Sequence, residues 1–312
     1  MKPLLTACIA TGIILSAFTV RKKNKLKLPD EFIPVPAGSY YAATPEEDPY
    51  FHGLTRTRQE KDSSKIKTIS SFYISRFEVT NLQYRKFYDD VSKSLSDEEK
   101  KEIKCDSTGW DDVLLRYNET SAGKYYYRHP AYNNYPVVNI SYEGAVEYCR
   151  WLQQQLQTDN PDYEIEVRLP DKSQWIWAAQ GGRSQAMFPW TNYYLRNKKG
   201  EPMCNFRRVD DGAIYRNRTT GNAEVAERYS VYDIGEGDFY TTNVKSFYPN
   251  DYGLYNMCGN AAEMINESGI AMGGSWNDYG GDVHIKSEAV YEKASSTIGF
   301  RPIIIAKEKN KE

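Results

Sequence analysis

The string YGLYNMCGNAAE, Tyr252 to Glu263, concentrates oxygen donors in a short span. Asn256 offers a side-chain amide oxygen, Gly259 and Ala261 offer main-chain carbonyls, and Glu263 offers a carboxylate. An all-oxygen set of this kind suits a hard cation, so the spacing points to a structural Ca²⁺. The competing reading is a glycine turn in which Asn256 and Glu263 only cap neighbouring backbone. Other chemistries are poorly supplied. His52, His129 and His284 lie far apart, and no serine sits in a GxSxG elbow, so no triad order is recognisable. His129, in YYYRHPAYNNYPVV, reads as a packed or hydrogen-bonded structural histidine. His284 alternates with Val283 and Ile285 in an expected strand and is placed facing solvent. Cys105, Cys149, Cys204 and Cys258 show no CxxC spacing, which leaves buried thiols or one or two disulfides in an oxidising compartment. The acidic groups Glu46-Glu47-Asp48 and Asp210-Asp211 read as solvated loop charges.

Several elements must hold these residues. FIPVPAGSYYAAT, from Phe32, predicts a strand entering a glycine turn, and Pro45 to Lys67 an exposed loop. SSFYISRFEVTN alternates as a strand, with Thr80 or Asn81 capping a helix through Tyr84 and Phe87. LSDEEKKEIK is a charged, solvated helix. YPVVNIS, Tyr135 to Ser141, predicts a buried strand from its β-branched content. Ser141 then caps a helix that puts Ala145, Tyr148, Cys149 and Leu152 on one face. In EVRLPDKSQWIWAAQGG a strand ends at Pro170, Asp171 or Ser173 caps a helix through Trp175 and Ala179, and Gly181-Gly182 stops it. Phe188 to Pro249 has little periodicity and reads as a long irregular region that must pack on a scaffold or around ions. GGSW, HIKSEAVY and GFRPIIIA predict closing strands.

With 312 residues, 40% of them hydrophobic, and a net charge of -2, the chain can bury a proper core and has no excess basicity for nucleic acid. Its 26 tyrosines against 11 phenylalanines suit a loop-rich protein in which hydroxyls meet loop backbone. Pro3 to Val20 is an almost continuous apolar run before the basic cluster Arg21 to Lys27, and reads as an export signal or membrane anchor. Leu5-Thr6-Ala7-Cys8 matches a lipobox and would put a lipid on Cys8; cleavage near Ala17, or retention as an anchor, are the other routes. The basic residues after the run favour holding that side in the cytoplasm, against export. The organisation expected is residues 1–28 as signal or anchor with a basic linker, 29–307 as one domain, and 308–312 as a charged tail.

Taken in order, IPVPAGSY, FYISRFEVTN, YPVVNISYEGAVEYCRWL, RLPDKSQWIWAAQGG, FPW, YGLYNMCGNAAEM, GGSW and GFR resemble the signature series of the formylglycine-generating enzyme, or sulfatase-modifying factor, superfamily. The resemblance implies a single α+β domain, related to C-type lectins, rich in irregular loops and often stabilised by Ca²⁺. It implies one calcium site at Asn256, Gly259, Ala261 and Glu263. It implies a second at Asn205, the Phe206 carbonyl and an acid near Glu236 or Asp238. The oxidising members bind Cu(I) through two thiolates after GGS, a soft-ligand choice. In GGSWNDYGGDVHIKSEA, Asp278 and Val283 stand where those cysteines would be, so no copper is expected. An iron-dependent branch with a spaced histidine pair finds no counterpart here.

The run DSTGWDDVLLRYNE, with the strings that follow it and GGSWND, is similar to the gliding-motility and type IX secretion lipoproteins of the GldK/PorK and GldJ kind. That resemblance implies a non-catalytic scaffold on the periplasmic side of the cell envelope. It would be attached to the membrane through the N-terminal segment and assembled with other envelope proteins. Two further readings are kept: an enzyme acting on a peptide or small molecule through a non-copper site, and a calcium-dependent carbohydrate-binding module.

Overall fold

The computed structural model describes residues 24–42, 66–110, 122–183, 186–208, 214–225 and 240–309. Cys8, the apolar N-terminal run, Glu236 and Asp238 lie outside the described residues. Among the described residues no helix is long and apolar enough to cross a membrane. Helices and sheets mix in an α+β arrangement.

Strands β1 (Phe32–Val35), β4 (Phe72–Ser75), β5 (Tyr163–Arg168) and β12 (Ile303–Glu308) form an antiparallel sheet in the order β1-β4-β12-β5. Its neighbouring residues Ile303 and Ile304 point to opposite faces, as strand geometry requires, and enter two different apolar clusters. One cluster joins Tyr84 and Phe87 of α1 (Asn81–Val91) with Ala145, Tyr148 and Cys149 of α4 (Tyr142–Asp159), and with Phe300. The other joins Trp175 and Ala179 of α5 (Lys172–Gln180) with Val35, Ile74, Met257 and Cys258. A second sheet, β10-β9-β8-β11, is built from Glu288–Val290, Ile270–Met272, Ala262–Met264 and Ile298–Phe300, with β8 and β11 parallel. Shorter pairs are β2 (Gly38–Tyr41) with β3 (Ile66–Ile69), and β6 (Ile214–Arg216) with β7 (Ala223–Val225). Two further helices, α2 (Asp97–Ile103) and α3 (Ala122–Tyr126), complete the set.

The helix starts follow local capping chemistry. Thr80, rather than Asn81, caps α1 in a reciprocal box with Gln83, Ser96 does the same for α2 with Glu99, and Ser141 accepts from the Gly144 amide at α4. Asp171, not Ser173, opens α5, and Gly181 closes it in the left-handed region at φ 59°.

Some expectations fail. Tyr135 to Ser141 is buried but is not a strand. Pro136 makes only an isolated bridge to Thr80, and Asn139 turns left-handed at φ 58°, so the Val137 and Asn139 amides donate singly to Val79 and Ser295 carbonyls. β-branched content reported burial here, while the proline and the asparagine broke the ladder. GGSW forms no strand, and HIKSEAVY contributes only Glu288–Val290. Residues 24–28, assigned to the linker, lie on the domain: the Lys27 amide donates to Asn160 Oδ1 at 2.7 Å, and Leu26 and Leu28 pack on the first cluster. At the other end β12 runs through Glu308, which the sequence placed in the tail.

Candidate functional site

The segment from Asn250 to Glu263 is a chain of tight turns. Asn250 Oδ1 accepts from the Tyr252 and Leu254 amides, while its Nδ2 donates to the Ala178 and Ala179 carbonyls that end α5. Four residues then take positive φ: Gly253, Asn256, Gly259 and Asn260. Gly259 is required twice over, because its φ is 75° and a Cβ there would collide with the Asn205 carbonyl oxygen. At Asn256 and Asn260 the left-handed backbone is taken by asparagine, among the few residues other than glycine that tolerate it.

These turns bring the expected metal residues together. Asn256, Gly259, Ala261 and Glu263 are all buried, and the Asn260 amide donates to the Asn205 carbonyl at 2.8 Å, so the segments of both expected sites lie side by side. Asn205 Nδ2 donates to the Tyr240 carbonyl at 2.6 Å. Phe206 lies near the position where a Cβ on Gly280 would stand.

Glu263 sits among donors. Arg301 Nε reaches both of its oxygens at 2.9 and 2.8 Å, Arg301 Nη2 donates at 2.5 Å, and Trp175 Nε1 donates at 2.7 Å. Three N–H groups thus meet the carboxylate, the Arg301 Nε–H shared between its two oxygens. Arg301, itself fully buried, also donates to the Ser75, Arg76 and Tyr255 carbonyls. A second buried carboxylate, Glu78, lies 4.0 Å from Arg301 Nη2. It accepts from Asn260 Nδ2 at 2.7 Å and Asn256 Nδ2 at 3.3 Å. Burial, and then the nearby Glu263 charge, push Glu78 up to about 7 against the pull of Arg301. Sequence reasoning missed Glu78, Asn260, Trp175 and Arg301. The signals available were a glutamate inside the otherwise apolar FEV and an arginine inside GFRPIII.

Calcium can be tested against this arrangement. Asn256 Oδ1 is a buried acceptor without a hydrogen-bond partner, which suits an ion or a water. With Glu78 ionised, two carboxylates against one guanidinium leave one net negative charge. Glu263 is already engaged by Arg301 and Trp175. Of the expected set, Asn256 Oδ1 is thus the atom whose open acceptor fits an ion.

The position after GGS has a different chemistry. Asp278 Oδ2 accepts from the Ser275 amide at 2.8 Å and from Ser275 Oγ at 2.6 Å, closing a turn. Val283 is fully buried in the second cluster. A carboxylate tied into a turn and a core valine do not fit a soft monovalent metal. His284 is 4% exposed, not solvent-facing. No strand forms there; the chain turns so that the Lys286 amide donates to His284 Nδ1 at 3.1 Å. Burial, with Lys286 adding to it, lowers His284 to about 3. His129 Nδ1 accepts from the Ala131 amide and caps a short turn, a structural role. All four domain cysteines are free, buried thiols. Among the described residues no group of three His, Cys, Asp or Glu side chains could hold a metal.

Comparison with known proteins places this geometry. Residues 17–306 match the family described as sulfatase-modifying factor enzyme 1-like domain. The formylglycine-generating enzyme of Mus musculus is 27% identical over 260 residues, covering 76% of this chain and 58% of that protein. The chain therefore spans little more than half the length of that relative. The inactive C-alpha-formylglycine-generating enzyme 2 of Bos taurus is 24% identical over 275 residues, covering 75% of this chain and 77% of the relative. The solved structure of PvdO from Pseudomonas aeruginosa shares the fold, with a TM-score of 0.55 at 18% identity over 88% of this chain and 93% of that one.

Proposed function

Because the chain belongs to the sulfatase-modifying factor enzyme 1-like family, we propose that it is a member without the copper chemistry, serving as a non-catalytic interaction domain of the cell envelope. One observation carries this reading: of Asp278 and Val283, which the resemblance sets where the thiolates would stand, the first is locked to Ser275 and the second sealed in the core. Glu78 and His284, two described groups with displaced acidities, are 1% and 4% exposed. A catalytic group must reach its substrate, and packing keeps both away from it. Copper-dependent oxidation of a cysteine-containing peptide by the purified protein would overturn the proposal; no turnover with copper supplied is the expected result.

The proposal extends to place and partners. The apolar run Pro3 to Val20 supports attachment to the periplasmic side of a membrane, through a lipid on Cys8 or through the run itself. The resemblance of Asp106 to Glu119 and of GGSWND to type IX secretion and gliding lipoproteins supports envelope proteins as partners. Crosslinking and pull-down from native membranes tests both at once. Recovery only from the soluble cytoplasmic fraction, with no envelope protein attached, would refute it. Calcium belongs to the same reading as a structural ion at Asn256 Oδ1 and the Gly259 and Ala261 carbonyls. Glu78 and Glu263 exceed Arg301 by one negative charge when both are ionised, which would offset part of the ion's charge.

A further inference from the structure

From Asn24 onward the N-terminal segment is fastened to the domain. Asn160, 2% exposed at the C-terminal end of α4, exchanges two bonds with the Lys27 backbone, as a paired strand residue does. Its Oδ1 accepts from the Lys27 amide at 2.7 Å and its Nδ2 donates to the Lys27 carbonyl at 2.9 Å. The same Nδ2 donates to the Leu156 carbonyl at 2.8 Å, and the Asn160 carbonyl accepts from the Tyr163 amide, so helix and strand hold this clasp in place. On either side of it the Asn24 amide donates to Asp162 Oδ2 at 3.3 Å, and Leu26 and Leu28 pack on the first apolar cluster. The last strand arrives at the same loop: the Lys309 amide donates to the Asp162 carbonyl at 3.1 Å, and Lys309 Nζ to the Pro161 carbonyl at 3.0 Å. The two ends of the domain thus meet at one corner, where Lys25, Lys27, Lys307 and Lys309 are exposed.

Only Arg21, Lys22 and Lys23 separate this corner from the apolar run that ends at Val20. The four steps from Val20 to Asn24 span at most about 14 Å, and the headgroup layer outside a bilayer's hydrocarbon is about 5–8 Å deep. With the run in a membrane, the corner therefore lies in the headgroups or just above them. Its charge suits that place. The described lysines are matched by Asp159, Asp162, Glu164 and Glu308, with Lys307 opposite Glu164 in the ladder of β12 and β5, and Arg21, Lys22 and Lys23 add an excess of positive charge on the membrane side. We propose that the Asn160–Asp162 corner is the membrane face of the domain. The Asn160 clasp holds it against the bilayer that carries Pro3 to Val20, and its lysines, with Arg21 to Lys23, meet the phosphates of anionic phospholipids. The inference rests on the membrane-attachment reading and gives it a surface and a lipid class. A flexible tether would let the domain turn freely; a tether fastened this close to the run fixes which faces remain open to envelope partners.

The test is lysine footprinting of the full chain on floated vesicles, with a membrane-impermeant acylating reagent and peptide mass spectrometry. The vesicles are phosphatidylcholine with or without phosphatidylglycerol. Wild type is compared with Asn160→Ala, which opens the clasp, and with an insertion between Lys23 and Asn24. About ten Gly/Ser residues there leave every described residue in place and add roughly 17 Å of flexible reach. In anionic vesicles Lys307 and Lys309 of the wild type should label several-fold more slowly than in either variant, while the exposed Lys198 and Lys199 label alike in all three. High salt, or vesicles without phosphatidylglycerol, should remove most of that protection. Equal labelling of Lys307 and Lys309 in all three proteins would overturn the membrane face, and protection indifferent to salt and lipid would overturn the phosphate contact. If Asn160→Ala does not fold, the insertion variant decides alone. A chain that fails to float with the vesicles refutes the attachment itself, whereas one that floats with this corner unprotected refutes the corner and leaves the attachment standing.

Discussion

Replacing Glu78 with glutamine should change how stability depends on pH, and the structure sets both sign and size. Glu78 is 1% exposed, accepts from Asn260 and Asn256, and faces one guanidinium that Glu263 already engages. Its carboxyl is raised from the ordinary 4.5 to about 7, so the folded state holds this proton more tightly than the unfolded chain does. The stability it contributes is therefore complete below about pH 4.5 and is lost as pH rises through about 7. At about 1.4 kcal/mol for each pH unit of displacement, the loss is on the order of 3 kcal/mol. For a domain of this size that corresponds to roughly 6–12 °C in melting temperature. Glu78→Gln keeps an acceptor for one asparagine and removes the ionisation. The assay is thermal melting of both proteins across this range, in excess chelator, read as the difference between them. The variant should gain on the wild type steadily as pH rises. Parallel curves would refute the reasoning, and would mean that Arg301 holds Glu78 ionised throughout despite its burial.

His284 should act in the opposite sense. Its lowered value keeps it neutral in the fold, so its contribution is present above about 6.5 and is lost as pH falls towards 3. The variant His284→Asn should lose roughly 3 kcal/mol less than the wild type on acidification to about pH 4, and equal losses would show that the imidazole protonates in the folded state. Arg301→Met strips the partner from buried Glu263 and leaves the Ser75, Arg76 and Tyr255 carbonyls without that donor. Breaking a buried pair in this way costs about 3–5 kcal/mol. Adding Glu263→Gln should restore part of the loss in denaturant melts, and no recovery would mean that the stranded charge was not the cause. Excess chelator should lower the melting temperature and added Ca²⁺ should restore it, by about 2.7 kcal/mol at a hundredfold excess over Kd. Unchanged melting would reject the ion at Asn256.

The sequence by itself determined what local chemistry decides. The helix start at Ser141 depends on a side chain bonding backbone three residues on, and the stop at Gly181 on a residue with no Cβ to oppose the left-handed turn; both are visible in the chain. The turn-rich string around Gly259 was legible for the same reason, since few other residues adopt its backbone. Family membership was legible because many short strings recur in a fixed order.

Tertiary structure alone decided what fills the centre. Arg301 and Glu263 are 38 residues apart, Trp175 and Glu263 88, Asn260 and Glu78 182, and Arg301 reaches the Ser75 carbonyl across 226. Periodicity and propensity report only a residue's nearest neighbours along the chain, so the guanidinium and the indole that meet Glu263 were invisible in it. The same blindness misplaced His284 and the segment from Tyr135 to Ser141. In each, alternation or β-branched content registered a tendency, while partners remote in sequence fixed the backbone: Val79 for Val137 at 2.8 Å, Ser295 for Asn139 at 2.9 Å and Met187 for Ile285 at 3.0 Å.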